Sequence, residues 1–153
     1  MMRSTLPSKF KAWRLEVKFL IDENVNDGVE GPLTSIFFNP RFVTVHGQGW
    51  AGVADDSLFG RMAENGFDAL ITRDKAQLTD PNERNGLRDR GLHWIGVTSP
   101  KFSGLKGLSL ETAAVVAALP YVLDDLITSP APTAFHIRGV PTEHDQRVKS
   151  ELI

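Results

Sequence analysis

Hydrophobic and polar positions fall into short alternating runs, and the first strong one is Leu15-Glu16-Val17-Lys18-Phe19-Leu20-Ile21. It alternates at first and then turns continuously apolar, the pattern of a strand covered on both faces. Asp22-Glu23-Asn24 ends it, and a helix is predicted over about residues 26–38, closed by Asn39-Pro40. Phe42-Val43-Thr44-Val45 reads as a second strand that ends in the turn-forming Gly47-Gln48-Gly49. Asp55 or Asp56 opens a helix to Asn65, with Leu58, Phe59, Met62 and Ala63 on one apolar face and Gly66 as its stop. Ala69-Leu70-Ile71-Thr72 is a third strand, followed by Arg73-Asp74-Lys75. An Arg-rich loop or short helix spans residues 81–90, and Trp94-Ile95-Gly96-Val97 is a fourth strand. Residues from about 110 to 127 read as helical, with Pro120 bending or splitting them, and Phe135-His136-Ile137-Arg138 reads as a last edge strand.

Strands alternating with helices predict an α/β domain with a parallel central sheet of about four to five strands flanked by helices. The chain divides into a basic N-terminal extension (1–14), the domain itself (15–140) and a polar C-terminal tail (141–153). Its 153 residues suit a single domain, and 41% hydrophobic with 24% charged residues predicts a packed core. The absence of Cys excludes disulfides, thiol catalysis and Cys-based zinc sites, and it fits a cytoplasmic location. The strongest apolar stretch, residues 113–119, stops at Pro120 and is too short to span a bilayer, so no membrane association is expected.

A net charge of -2 makes the molecule no general polyanion binder, but the charge is unevenly spread. Residues 1–21 hold five bases against one acid, 22–72 hold eight acids against two bases, and 73–106 hold seven bases against four acids. An acidic centre flanked by basic segments suits a metal site beside a phosphate-binding surface.

Function in an open parallel sheet collects at the carboxyl ends of the strands. Asp22 lies one residue past the first strand and Asp74 two past the third, while Asp55 and Asp56 follow the loop that leaves the second. Right-handed crossovers put all three loops on one edge of the sheet, so these acids are expected to converge. Clustered carboxylates repel one another unless a cation neutralises them, and oxygen-only ligands favour Mg²⁺ or Mn²⁺. Each acid also has a plainer role open to it. Asp55 or Asp56 would cap a helix, Asp74 would pair with Arg73 or Lys75, and Asp22 would form a turn with Asn24.

Two stretches carry a family resemblance. Phe19-Leu20-Ile21-Asp22-Glu23-Asn24-Val25 resembles the opening signature of short PIN-like proteins related to VapC-type toxins. Ala54-Asp55-Asp56-Ser57-Leu58-Phe59, continuing to Leu70-Ile71-Thr72-Arg73-Asp74-Lys75, resembles their second signature, in which a strand ends in Thr-x-Asp. The resemblance covers roughly residues 16–100 and implies a metal-dependent ribonuclease fold, often the toxin half of a toxin–antitoxin pair. It implies Asp22, Asp56 (or Asp55) and Asp74 as metal acids, with Asp56 favoured by the apolar register at Phe59 and Ala63. It further implies an RNA substrate and a small DNA-binding antitoxin as partners, with a homodimer left open. PIN nucleases usually carry a further acid on a helix between the first and third of these positions, and Glu23 or Glu30 is the nearest substitute here. Arg73 and Lys75 flank the acid as candidates for RNA phosphates, with Arg84, Arg88 and Arg90 as looser ones.

Other patterns lead elsewhere. Gly47-Gln48-Gly49-Trp50-Ala51-Gly52 is a literal G-x-G-x-x-G, but the helix after it opens with Asp55-Asp56, which would repel a pyrophosphate. A receiver domain would match Asp22-Glu23, Asp74 and Thr98-Ser99, but the fifth strand ending in Lys-Pro is missing. The four His residues form no i, i+4 pair, and His46 alone follows the second strand closely enough to reach the acids. A catalytically weak PIN-like module that binds a partner protein through residues 129–132 and the tail is the alternative from a different class.

Overall fold

The computed structural model describes residues 16–129 and 131–153, so the basic extension (1–14) lies outside the described residues. Five parallel strands form one sheet: β1 (Lys18–Ile21), β2 (Arg41–Thr44), β3 (Ala69–Thr72), β4 (His93–Gly96) and β5 (Ala134–His136), in the order β2-β1-β3-β4-β5. The connecting helices are α1 (Glu30–Ile36), α2 (Asp55–Glu64), α3 (Ala76–Thr79), α4 (Pro81–Asp89) and α5 (Gly104–Thr128). A single turn, α6 (His144–Arg147), sits in the otherwise irregular and mostly exposed tail.

The continuous apolar runs of the strands have one physical cause: both faces of the sheet are covered. On one face Phe19, Ile21, Ile71 and Ile95 pack with Leu33 of α1 and Val115 and Leu119 of α5. On the other, Leu20, Leu70 and Trp94 pack with Leu58, Phe59 and Met62 of α2 and Leu87 of α4. The chain therefore leaves β1 toward one face and β3 toward the other, although these strands are neighbours. The loops diverge there, and a crevice opens at the carboxyl ends of β1 and β3, the place where ligands bind in open α/β sheets.

Two expectations need correction. The segment expected as a helix over 26–38 begins with a 3-10 turn (Asp27–Val29), and α1 ends at Ile36. Pro120 neither splits nor ends its helix, because α5 runs unbroken from Gly104 to Thr128. The proline is on the exposed side, while Val115, Leu119 and Val122 hold one buried stripe on both sides of it. Burying that stripe outweighs the roughly 3 kcal/mol that a helix-interior proline costs.

Candidate functional site

The first strand ends by handing Asp22 to the crevice. Its N–H still joins the ladder, donating to the Ile71 carbonyl at 2.8 Å, so its backbone position is fixed by the sheet. Its side chain is buried and held on both oxygens. Oδ1 accepts the Glu23 N–H at 2.8 Å, and Oδ2 accepts the Thr72 hydroxyl at 2.8 Å. Longer contacts at 3.5 Å reach Oδ2 from the Asn24 and Gln77 amides.

Thr72, at the end of β3, is the hub. Its single hydroxyl proton goes to Asp22, and its oxygen accepts the Asp74 N–H at 3.0 Å and the Asn24 amide at 3.1 Å. Asn24 in turn accepts the Arg73 N–H at 3.0 Å. The two loops of the crevice are thus laced together by side chains from both strand ends.

Burial pushes the Asp22 carboxyl above its ordinary value, against the lowering by Thr72 and the Glu23 N–H, and the nearby Asp55 carboxylate adds to the rise. Glu83, on the first turn of α4, is also raised, by desolvation first and then by the charge of Asp55, with Asp80 and Asp74 adding to the rise. The charge of Asp55 thus acts on both Asp22 and Glu83. Asp74 turns one oxygen onto the Ala76 N–H at 3.0 Å at the start of α3.

Asp55 and Asp56 occupy adjacent positions of the first turn of α2, where the helix dipole favours negative charge. Neither caps the helix: the N-cap is Ala54, which makes no side-chain cap bond. The two differ in company. Asp56 is 83% exposed and pairs with Arg90 at 3.3 Å, whereas the charge of Asp55 acts on Asp22 and Glu83. The register argument that favoured Asp56 placed Phe59 correctly in the core but not Ala63, which is exposed, and it left open which of the two acids acts on Asp22.

The remaining candidates separate from this cluster. Arg73 Nε donates to Glu111 Oε2 at 2.6 Å and its Nη2 reaches the same oxygen, so its charge points inward rather than toward solvent. Lys75 is exposed and makes no ion pair among the described residues. The Glu23 carboxylate accepts the Gly52 N–H at 3.2 Å, tying down the glycine-rich loop, whose Trp50 packs on Phe67. His46 pairs with Asp27 at 3.0 Å. Arg84 donates to the Leu78 carbonyl and Arg88 pairs with Asp89, so the looser phosphate candidates, Arg90 included, have local partners.

Among the described residues, no three His, Asp or Glu side chains stand close enough together to ligate one ion. The donor chemistry still fits a hard divalent cation. Mg²⁺ keeps several waters and is commonly held by only one or two carboxylates, which here would be Asp22 and Asp55. Glu83, Gln77 and Glu111 were missed in the sequence because each acts on a residue from another element. No helix among the described residues is long and apolar enough to cross a membrane. No family model, curated protein or solved structure matches the chain.

Proposed function

We propose that the protein is a PIN-like endoribonuclease that depends on Mg²⁺ or Mn²⁺ and works in the cytoplasm as the toxin of a toxin–antitoxin pair. One observation carries the catalytic part: Asp22 is locked at the β1–β3 crevice by Thr72 and the Glu23 N–H, and the charge of Asp55 acts on both Asp22 and Glu83. The signature residues around Asp22 and Asp74 carry the toxin part by resemblance alone.

In this reading Asp22 and Asp55 would hold the ion, with Asp74 on the loop that follows β3. The bound ion supplies charge neutralisation at the phosphate. Glu83, whose affinity for protons is raised, is the better general base at neutral pH. It takes the proton of the attacking water as the new P–O bond forms and the bond to the leaving oxygen breaks. Lys75, free to move in solvent, meets the backbone phosphates. Arg73 braces the loop from inside.

The test is RNA cleavage in Mn²⁺ with Asp22→Asn, Asp74→Asn and Glu83→Gln. Loss of cleavage with the fold retained is expected for each, and full activity in both Asp variants would sink the reading. A second reading, a catalytically weak module for a protein partner, is favoured by the exposed Phe38 and Ile36 beside Pro120 and Leu123. It takes over if the wild type neither binds Mn²⁺ nor cleaves RNA.

A further inference from the structure

Gln77 is fully buried, a setting in which an amide must satisfy both of its ends. It lies on α3, the one short turn between the Asp74 loop and α4. The Trp94 indole N–H, rising from β4 beneath it, donates to the Gln77 oxygen at 3.0 Å. Indole nitrogen is a donor only, so it can face the oxygen of the amide and never its NH₂ group. That choice turns the Gln77 NH₂ toward Asp22 Oδ2, 3.5 Å away. Trp94 is itself immobile, buried in the core with its ring against His136.

We propose that Gln77 is the positioning residue of Asp22, with its polarity set by Trp94. A core tryptophan dictates an amide orientation, and the amide presents a donor to the one oxygen of Asp22 that also takes the Thr72 proton. The Thr72 hydroxyl and the Gln77 and Asn24 amides on Oδ2, with the Glu23 N–H on Oδ1, fix the carboxylate plane before any ligand arrives, and of the two amides only that of Gln77 is fully buried. The role in ion binding rests on the proposed function, whereas the hydrogen-bond chain does not.

Two measurements separate those layers. In metal-free ¹⁵N-labelled protein, the Gln77 side-chain amide signals should shift and exchange faster in Asp22→Ala and in Trp94→Phe. Unmoved signals in Asp22→Ala would overturn the chain. By calorimetry, Gln77→Met should bind Mn²⁺ about tenfold more weakly than wild type, as for other residues that orient a ligand. Trp94→Phe keeps a ring in the core, guards against a folding failure of the Met variant, and should show a smaller loss. Equal affinity in wild type and Gln77→Met overturns the positioning role. Absence of Mn²⁺ binding in wild type sinks the ribonuclease reading instead, and the amide signals then decide whether Gln77 holds Asp22.

Discussion

Arg73 and Glu111 form an inward-facing ion pair that bolts the sheet edge carrying Asp22 and Asp74 to the long helix. Glu111 stands on α5 with its side chain fully buried, and one oxygen takes two donors of the Arg73 guanidinium. The other oxygen accepts the Asn26 N–H at 3.3 Å, so a single carboxylate ties α5 to the loops that follow both β1 and β3. A guanidinium held this way contributes to the position of Asp74, its neighbour in sequence, more than to the capture of a phosphate.

Removing Arg73 should therefore cost stability before it costs affinity. Arg73→Ala leaves a buried carboxylate without its counter-charge, which typically destabilises by about 3 kcal/mol or more. Glu111→Gln should cost less, because the neutral amide still meets the Asn26 N–H. Urea unfolding measures both. An Arg73→Ala loss below about 0.5 kcal/mol, the range of an exposed pair, would mean the pair is loose in solution.

Asp22 should make stability fall with rising pH. Its folded proton affinity is raised above the ordinary 3.8, mainly by burial. The folded chain then holds that proton more tightly than the unfolded chain does. The stabilising contribution is full below 3.8 and is lost as pH climbs through the higher folded value. Glu83 acts in the same sense from its ordinary 4.5. Asn at position 22 cannot ionise, so Asp22→Asn should unfold at a higher temperature than wild type at pH 7 and lose that advantage near pH 3. Melting curves that run parallel across this range would show that Asp22 is not desolvated.

How much of this was legible in the chain depends on the range of the interaction. The strands were readable because burial on both faces writes continuous apolar runs, and Asp22, Thr72 and Asp74 were readable because they stand directly at strand ends. Residues whose partners are distant left no local signal. Glu111 meets Arg73 across 38 positions, and Gln77 meets Asp22 across 55. The four-residue α3 is too short to show a period. Asp55 and Asp56 differ by one step around a helix, about 100° of rotation, so only the neighbours on α4 distinguish them. Arg90 claims Asp56, and the charge of Asp55 acts on Glu83.

That division predicts a contrast between adjacent residues. Asp55→Asn should abolish Mn²⁺-dependent cleavage and ion binding together. Asp56→Asn should leave both intact and change stability by about 0.5 kcal/mol or less, since its pair with Arg90 is largely solvated. Cleavage assays and calorimetry on the two variants decide it. The reverse pattern would return the role to Asp56.

Gly96 connects the core to the site and gives the last prediction. It lies two residues after Trp94 on β4, on the same face of the sheet, and the indole ring lies over it. A Cβ at Gly96 would overlap Cη2 and Cζ3 of Trp94, and the ring, buried among Leu70, Leu87 and Leu92, has no open space to take up. Gly96→Ala must therefore tilt the indole and draw Nε1 off the Gln77 oxygen that it now holds at 3.0 Å. Overpacking of this kind costs about 1–3 kcal/mol. The accompanying change distinguishes it from a simple loss of stability: tryptophan fluorescence and the indole N–H signal should shift in the folded variant, and Mn²⁺ affinity should fall as it does for Trp94→Phe. Gly31→Ala is the control, because nothing lies within 4 Å of the added methyl on exposed α1, and it should be neutral or stabilising by up to about 1 kcal/mol. If Gly96→Ala lost stability yet kept wild-type Mn²⁺ affinity and an unmoved indole signal, the link from core to carboxylate would not run through Trp94.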